Sequence, residues 1–296
     1  MNSVLPTLAL TAVLPLTFAG CVVVDSQGHI TREEKRFAVT GTPDLRLTTF
    51  DGAIEIRAGE GNTVLVEIEK RGPTKEALDG LKIDTKQEGN RIDVEVRKPS
   101  HEVAAFFGVG RLSPTAKLIV TMPREGNVIA RSGDGSIRIE HVHGRLELRT
   151  GDGSIRAVDI AGNLTLATGD GSVTLEDIAG DLDVDTGDGS VSVAGTPSGL
   201  KLHTGDGSIT LRALSGTTMK DDWSMTTGDG DVAVYLPSDF GAELDAHTGD
   251  GSIRNELQLS NDEGDKNRRS LKGKLGAGGK LLRIRTGDGS IRLKTS

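Results

Sequence analysis

Thr150-Gly151-Asp152-Gly153-Ser154-Ile155 is the stretch from which the fold of this chain is read. The same hexad, or a near copy, surrounds Asp134, Asp152, Asp170, Asp188, Asp206, Asp229, Asp250 and Asp288. The first five of these aspartates lie 18 residues apart, and the last three steps are 23, 21 and 38 residues. A fixed period near 20 residues marks a solenoid. Between hexads the apolar residues alternate. Ile155 and Ala157 share one side, with Arg156 opposite; Leu164 and Leu166 do the same around Thr165, and Val173, Leu175, Leu182 and Val184 repeat the pattern. Alternation at period 2 is the mark of a half-buried strand. Each unit thus supplies two short strands, with Ile160 and Ile178 plugging the connection between them.

The two strands of a unit could pair as a hairpin, or each unit could be one turn of a coil whose strands pair with those of the next unit. Constant spacing favours the coil, because it stacks identical residues about 4.8 Å apart. The fold expected is all-β: a single-chain parallel β-helix, or solenoid, with 18-residue rungs. Left-handed hexapeptide helices place an apolar residue every six positions. Here Ile155, Ile160, Leu166 and Val173 are 5, 6 and 7 apart, which favours a right-handed or flattened two-strand coil.

The hexad reads as the corner of that coil. Glycines flanking Asp are expected to supply positive φ, and Thr150, Thr168, Thr186 and Thr204 to form a hydroxyl ladder. Stacked aspartates repel, so either backbone N–H groups compensate each one or cations sit between them. Oxygen-rich repeat corners hold calcium in other solenoids, which makes the eight aspartates calcium candidates beside their role as turn formers. The nine-residue Gly-Gly-x-Gly-x-Asp pattern is missing. Asp181-Leu182-Asp183-Val184-Asp185 starts like an EF-hand, but Gly187 is one place late and Ser192 stands where a bidentate Glu is needed. No other cofactor is implied.

Working outward, Leu45-Arg46-Leu47, Ile54-Glu55-Ile56, Val64 to Ile68 and Ile92 to Val96 also alternate. Phe50-Asp51-Gly52-Ala53-Ile54 reads as a degenerate corner, so the solenoid is expected over 37–296, irregular over 37–131 and regular over 132–296. Thr74 to Leu81 reads as one short helical insertion with Thr74 as N-cap. Phe106-Phe107 could be a partner contact, and is expected instead to cover an open end or side of the core. Trp223 lies in an insertion. The polar run Asn261 to Arg269 with Gly276-Ala277-Gly278-Gly279 reads as a projecting loop. The chain ends inside a repeat at Ile291-Arg292-Leu293, which predicts that the last rung closes the coil.

Residues 1–20 fit a secretory signal peptide with an apolar run from Val4 to Phe18. Phe18-Ala19-Gly20-Cys21 resembles the lipobox of bacterial lipoproteins, and Cys21 is the only cysteine. The resemblance implies lipidation at Cys21, with residues 21–36 as lipidated N-terminus and tether. The alternative is a plain secretory signal with Cys21 incidental. Val22 after the cysteine resembles lipoproteins sent to the outer membrane of a Gram-negative envelope. No long apolar stretch follows residue 24, so no later membrane-spanning helix is expected. A net charge of −8 argues against a nucleic-acid binder.

The Ser/Thr-Gly-Asp-Gly-Ser-Ile corners, the short helix at Ala77-Leu78 and Leu275-Gly276-Ala277-Gly278-Gly279 before a final repeat resemble the bacterial "putative adhesin" family, a domain of unknown function. The resemblance spans roughly residues 37 to 296. It implies an envelope or surface β-solenoid and brings no catalytic residues. No Walker loop, Gly-x-Ser-x-Gly elbow or Cys-x-x-Cys is present. His141-Val142-His143 could hold a metal but lacks an evident third ligand. His203 and His247 precede corners and are expected to face solvent, His203 beside Asp185. Three functions stay open: a non-catalytic scaffold or adhesin presenting ladders such as Ser154, Ser172, Ser190 and Ser208 to a protein or glycan; a periplasmic regulatory or stress-response binding module; and a polysaccharide-acting β-helix enzyme.

Overall fold

The computed structural model describes residues 22–25, 28–98, 113–264 and 269–296. The signal peptide expected over 1–20, Cys21 and the Phe106-Phe107 segment lie outside the described residues.

Strands Ile155–Thr168, Val173–Thr186 and Val191–Thr204 lie side by side and parallel. Ile155 stands beside Val173, and Val173 beside Val191, so one step across the sheet is one sequence repeat. The first two of these strands are bent midway, where Asp159 and Asp177 take φ values of 51° and 54°. The bend shifts the alternation: Ile155 and Ala157 are buried before it, and Ile160, Leu164 and Leu166 after it. A strand that kept strict period 2 through that point would put half of these side chains in water.

Stacking produces two inward ladders. One runs Ile54, Ile137, Ile155, Val173, Val191, Ile209, Val232. The other runs Leu45, Val128, Leu146, Leu164, Leu182, Leu200. All are buried in one continuous core. Burying an aliphatic side chain of this size contributes roughly 1.5–3 kcal/mol, and repetition keeps the core growing without large aromatic residues. Trp223 takes the next place in the leucine ladder, between Leu200 and Leu282. It is fully buried, its Nε1 donates to the Ser198 carbonyl oxygen at 3.2 Å, and its ring centroid lies 5.4 Å from that of Phe240. The Trp223 insertion is therefore core, and only its leading segment forms a loop.

The order of rungs in space departs from their order in the chain at both ends. Strands Asp44–Thr49 and Ile54–Gly59 are the first rung in sequence. They lie between Arg91–Arg97 with Thr115–Pro123 on one side and Asn127–Ser132 with Ile137–Glu140 on the other. At the far end Leu281–Thr286 sits between Trp223–Thr227 and Ala242–Thr248. Ile291–Thr295 likewise sits between Val232–Leu236 and Ile253–Asn255. The expectation that the last rung closes the coil is thus corrected: the final rung is inserted second from the end.

Antiparallel strands close the coil instead. Ser270–Leu275 runs along Ala242–Thr248, and Leu259–Gly264 along Ser270–Leu275. Much of the stretch expected as a projecting loop over 261–279 is this hairpin. It pairs the N–H and C=O groups that an outermost strand would otherwise leave open. At the other end Lys82–Glu88 pairs with Arg91–Arg97, Thr63–Gly72 with Thr115–Pro123, and Gly28–Ala38 with Thr63–Gly72. Residues 28–36 therefore belong to the sheet, where a tether was expected, and Val22–Asp25 pairs back onto Gly28–Ala38. Charge pairing fixes this cap. Glu69 accepts from Arg32 Nε at 2.9 Å and Nη2 at 2.7 Å, and from Arg71 Nε at 2.7 Å. Burial acts to raise the Glu69 carboxyl, but the hydrogen bonds from Arg32 and Arg71 outweigh it and hold it below its ordinary value. The one helix among the described residues, Lys75–Asp79, starts at Thr74, whose hydroxyl accepts from Ala77 N at 3.2 Å, and it buries Ala77 and Leu78.

Candidate functional site

The corner hexads stack into one edge of the coil. Each threonine hydroxyl reaches back to two glycine carbonyls of the neighbouring rung. Thr150 Oγ1 lies 3.1 and 2.8 Å from the Gly133 and Gly135 oxygens, and Thr168 Oγ1 lies 3.2 and 2.9 Å from those of Gly151 and Gly153. Thr186, Thr204, Thr227, Thr248 and Thr286 repeat the contact. The glycines serve a different purpose from the one expected. None of the glycines flanking the eight aspartates has positive φ. A methyl group on Gly153 would instead lie 2.3 Å from the Gly135 oxygen, and one on Gly189 2.1 Å from the Gly171 oxygen. Glycine is needed there because stacked backbones nearly touch. The positive φ values sit at the opposite corner, on His141, Asp159 and Asp177.

Asp134, Asp152, Asp170, Asp188, Asp206, Asp229, Asp250 and Asp288 are all exposed, as are Ser154, Ser172, Ser190 and Ser208. Asp250 pairs with Arg269 at 3.4 Å. Of the two alternatives, N–H compensation is not made: among the described residues none of the other seven accepts a hydrogen bond.

The histidines of His141-Val142-His143 do not converge. His141 Nδ1 lies 2.9 Å from Asp159 Oδ2 in the next rung, and His143 Nδ1 3.3 Å from Glu125 Oε1 in the preceding one. Arg124 Nη2 also contacts Asp159 Oδ2 at 2.9 Å. The hydrogen bond to His141, aided by the charge of Arg124, holds the Asp159 carboxyl below its ordinary value. No group of three His, Cys, Asp or Glu suited to a metal occurs among the described residues. His203 and His247 are exposed, and His203 neighbours Asp185 in register without a hydrogen bond between them.

A groove of about 730 Å³ crosses the outer side of the leucine ladder where Asn127–Ser132, His143–Arg149 and Ile155–Thr168 run in parallel. Its floor is low because Gly144 and Gly162 carry no side chain. Both have positive φ, 143° and 121°, and a methyl on either would meet a carbonyl of the preceding rung at 2.2 Å. Asn127, Arg145 and Asn163 form one row along it, and Ile129, Glu147 and Thr165 the next. The Arg145 backbone N–H donates to Asn127 Oδ1 at 3.1 Å. The Arg145 guanidinium is exposed and makes no hydrogen bond or ion pair among the described residues. Glu147 is clamped, by Arg131 Nη2 at 2.8 Å and Arg149 Nε at 2.9 Å. The hydrogen bond from Arg131, joined by that from Arg149, holds its carboxyl below the ordinary value. Two arginines therefore hold this carboxylate, and Asp44 is the second carboxylate in the lining. Sequence reasoning passed over this groove. Its signal was present at outward strand positions: Asn127, Arg145 and Asn163 are 18 apart, as are Arg131 and Arg149.

The parallel ladders, glycine corners and antiparallel caps define an all-β solenoid-like architecture. Residues 43–294 match the Toastrack DUF4097 family, and the chain belongs to it. No curated protein matches the chain. Among solved structures it is similar to a "putative adhesin" from Parabacteroides distasonis, with 11% identity, TM-score 0.45, and coverage of 90% of this chain and 97% of that one. It is also similar to a "putative adhesin" from Bacteroides fragilis, with 11% identity, TM-score 0.42, and coverage of 88% and 96%. A "putative lipid binding protein" from Parabacteroides distasonis gives 13% identity, TM-score 0.38, and coverage of 88% and 96%.

Proposed function

We propose that this chain is a non-catalytic binding module of the bacterial cell envelope, held at the membrane by a lipid on Cys21. The observation that supports it is the architecture of the surface. Antiparallel strands cover both ends, and the outward rows of side chains continue from rung to rung along both strand ladders, shifting register only around Ile178 and Gly180. Such a surface offers extended, evenly spaced contacts to a long partner, as solenoids do. The uneven 5-, 6- and 7-residue apolar spacing supports a right-handed winding of the coil.

Two measurements test the reading. The full-length chain, immobilised and exposed to solubilised cell envelopes, should retain an envelope component; retention of none refutes a binding role. Cys21→Ala should release the secreted protein from the membrane fraction. A variant still membrane-bound after secretion refutes the lipid anchor.

A further inference from the structure

We infer that the rung made of Leu281–Thr286 and Ile291–Thr295 is exchangeable between two copies of this chain, each copy lodging that rung in the slot of the other. The partner is a second copy, and the inference is independent of what the outer face binds. The slot has two walls. Trp223–Thr227 and Val232–Leu236 form one, Ala242–Thr248 and Ile253–Asn255 the other, and the rung pairs in parallel register with all four strands. Its corner is bonded to both walls as well. Thr286 Oγ1 donates to the Gly230 oxygen at 2.8 Å, and Thr248 Oγ1 donates to the Gly289 oxygen at 2.7 Å. Leu282, Ile284, Ile291 and Leu293 are fully buried between the walls. Both walls are complete by residue 255, so the chain supplies a site and its occupant as separate pieces.

The link between those pieces is a hinge. Ser270–Leu275 lies on one edge of Ala242–Thr248 and Leu281–Thr286 on the other. Residues 276–280 therefore carry the chain round the end of Ala242–Thr248, across two strand spacings, about 10 Å. They do so folded up. Gly276, Gly278 and Gly279 take φ values of 52°, 78° and 142°, and Gly278 N donates to the Leu275 oxygen at 2.8 Å. Five residues reach about 17 Å when extended, and glycines leave such a turn with no side-chain barrier. A rung taken from a second copy makes the same pairs, the same burial and the same corner contacts. The closed and exchanged forms thus differ only in the link and in the supply of partners, the condition under which exchange of an identical element is an easy route to dimers. A short link gives its own rung an effective concentration in the millimolar range. The closed form dominates in dilute protein, and the exchanged form grows as copies are concentrated.

The test traps the exchanged rung. Ser224 and Arg283 stand side by side across the slot wall, about 4.8 Å apart, within reach of a disulfide. Full-length chains carrying Cys21→Ala, which removes the one native cysteine, receive either Ser224→Cys or Arg283→Cys. The two are unfolded together in urea, refolded over a range of concentrations, oxidised, and resolved on a non-reducing gel. The expected result is a mixed disulfide dimer whose ratio to monomer rises about tenfold per tenfold in concentration while monomer dominates. Ser192→Cys mixed with Arg283→Cys should give none, because Ser192 neighbours Thr174 and Thr210 instead. No mixed dimer at the highest concentration, or an equal yield from the Ser192→Cys control, overturns the inference. Deleting Gly276–Gly278 adds a second readout. The two residues left span about 10 Å, which leaves nothing to round the strand end, so the variant should sediment as a dimer where the parent is a monomer. A folded, monomeric deletion variant also overturns the inference; if the deletion variant does not fold, the disulfide result decides.

Discussion

Gly207→Ala separates two explanations of the corner. A methyl at Gly207 would lie 2.2 Å from the Gly189 oxygen and 2.5 Å from its carbonyl carbon, where real contacts essentially never fall under 3.0 Å. The obstacle is backbone, so the rungs must part by most of an ångström. Parting them loses the hydrogen bonds that Thr204 Oγ1 donates to the Gly187 oxygen at 3.2 Å and to the Gly189 oxygen at 3.0 Å. Each contributes about 1 kcal/mol net, and overpacking strain adds about 1–3 kcal/mol. The expected destabilisation is about 3–5 kcal/mol. If the glycine were there only as a convenient turn residue, Gly→Ala at this non-left-handed position would stabilise by about 0.4–1 kcal/mol through the unfolded chain. The two explanations therefore differ in sign. Urea unfolding followed by circular dichroism gives the magnitude. Amide exchange should show lost protection in 182–195 and 200–213, the strands that flank the two parted corners. An unchanged or raised urea midpoint for Gly207→Ala would refute the close-approach argument.

Deleting residues 281–296 should cost far more than removal of an end repeat normally does, because that rung lies between two others; protease digestion should then cleave within 242–255, and survival of that rung would contradict the inserted order. Glu69 supplies a pH test. Its folded-state pKa lies below the ordinary 4.5, so its contribution is present above about that pH and is lost as pH falls through the depressed value. Glu69→Gln should flatten this acid limb of the stability curve, and an identical limb in the variant would assign the effect elsewhere.

Much of the middle of the molecule could be read in advance because its information is local. Ile155, Leu164 and Leu166 repeat at a constant interval, so the strands, their inner faces and their parallel register follow from period 2 and period 18 together. The groove was less legible. Its residues are ordinary outward polar positions when taken strand by strand. Only stacking brings Arg131 onto Glu147, which Arg149 of the same strand also holds, and sets Arg145 beside Asn127 and Asn163. Trp223 misled for a related reason. It falls in a longer unit, but it lands in the leucine ladder once its strand is placed beside Leu200.

Chain order and spacing alone dictated a stacked all-β coil, the position of the Thr-Gly-Asp-Gly-Ser-Ile corners and the short helix behind Thr74. Tertiary structure decided the order of the rungs at the two ends. Every rung presents nearly the same edge, with the same hydrogen-bond spacing and similar inward residues, so the sequence of one rung does not say which neighbour it will join. That choice falls to the antiparallel hairpins, which cover Ala242–Thr248 and Arg91–Arg97 and so make these the outermost parallel strands of their side of the coil. The same stacking distance decided why the corner contains glycine: the constraint is the carbonyl of the next rung, which no reading of a single turn contains.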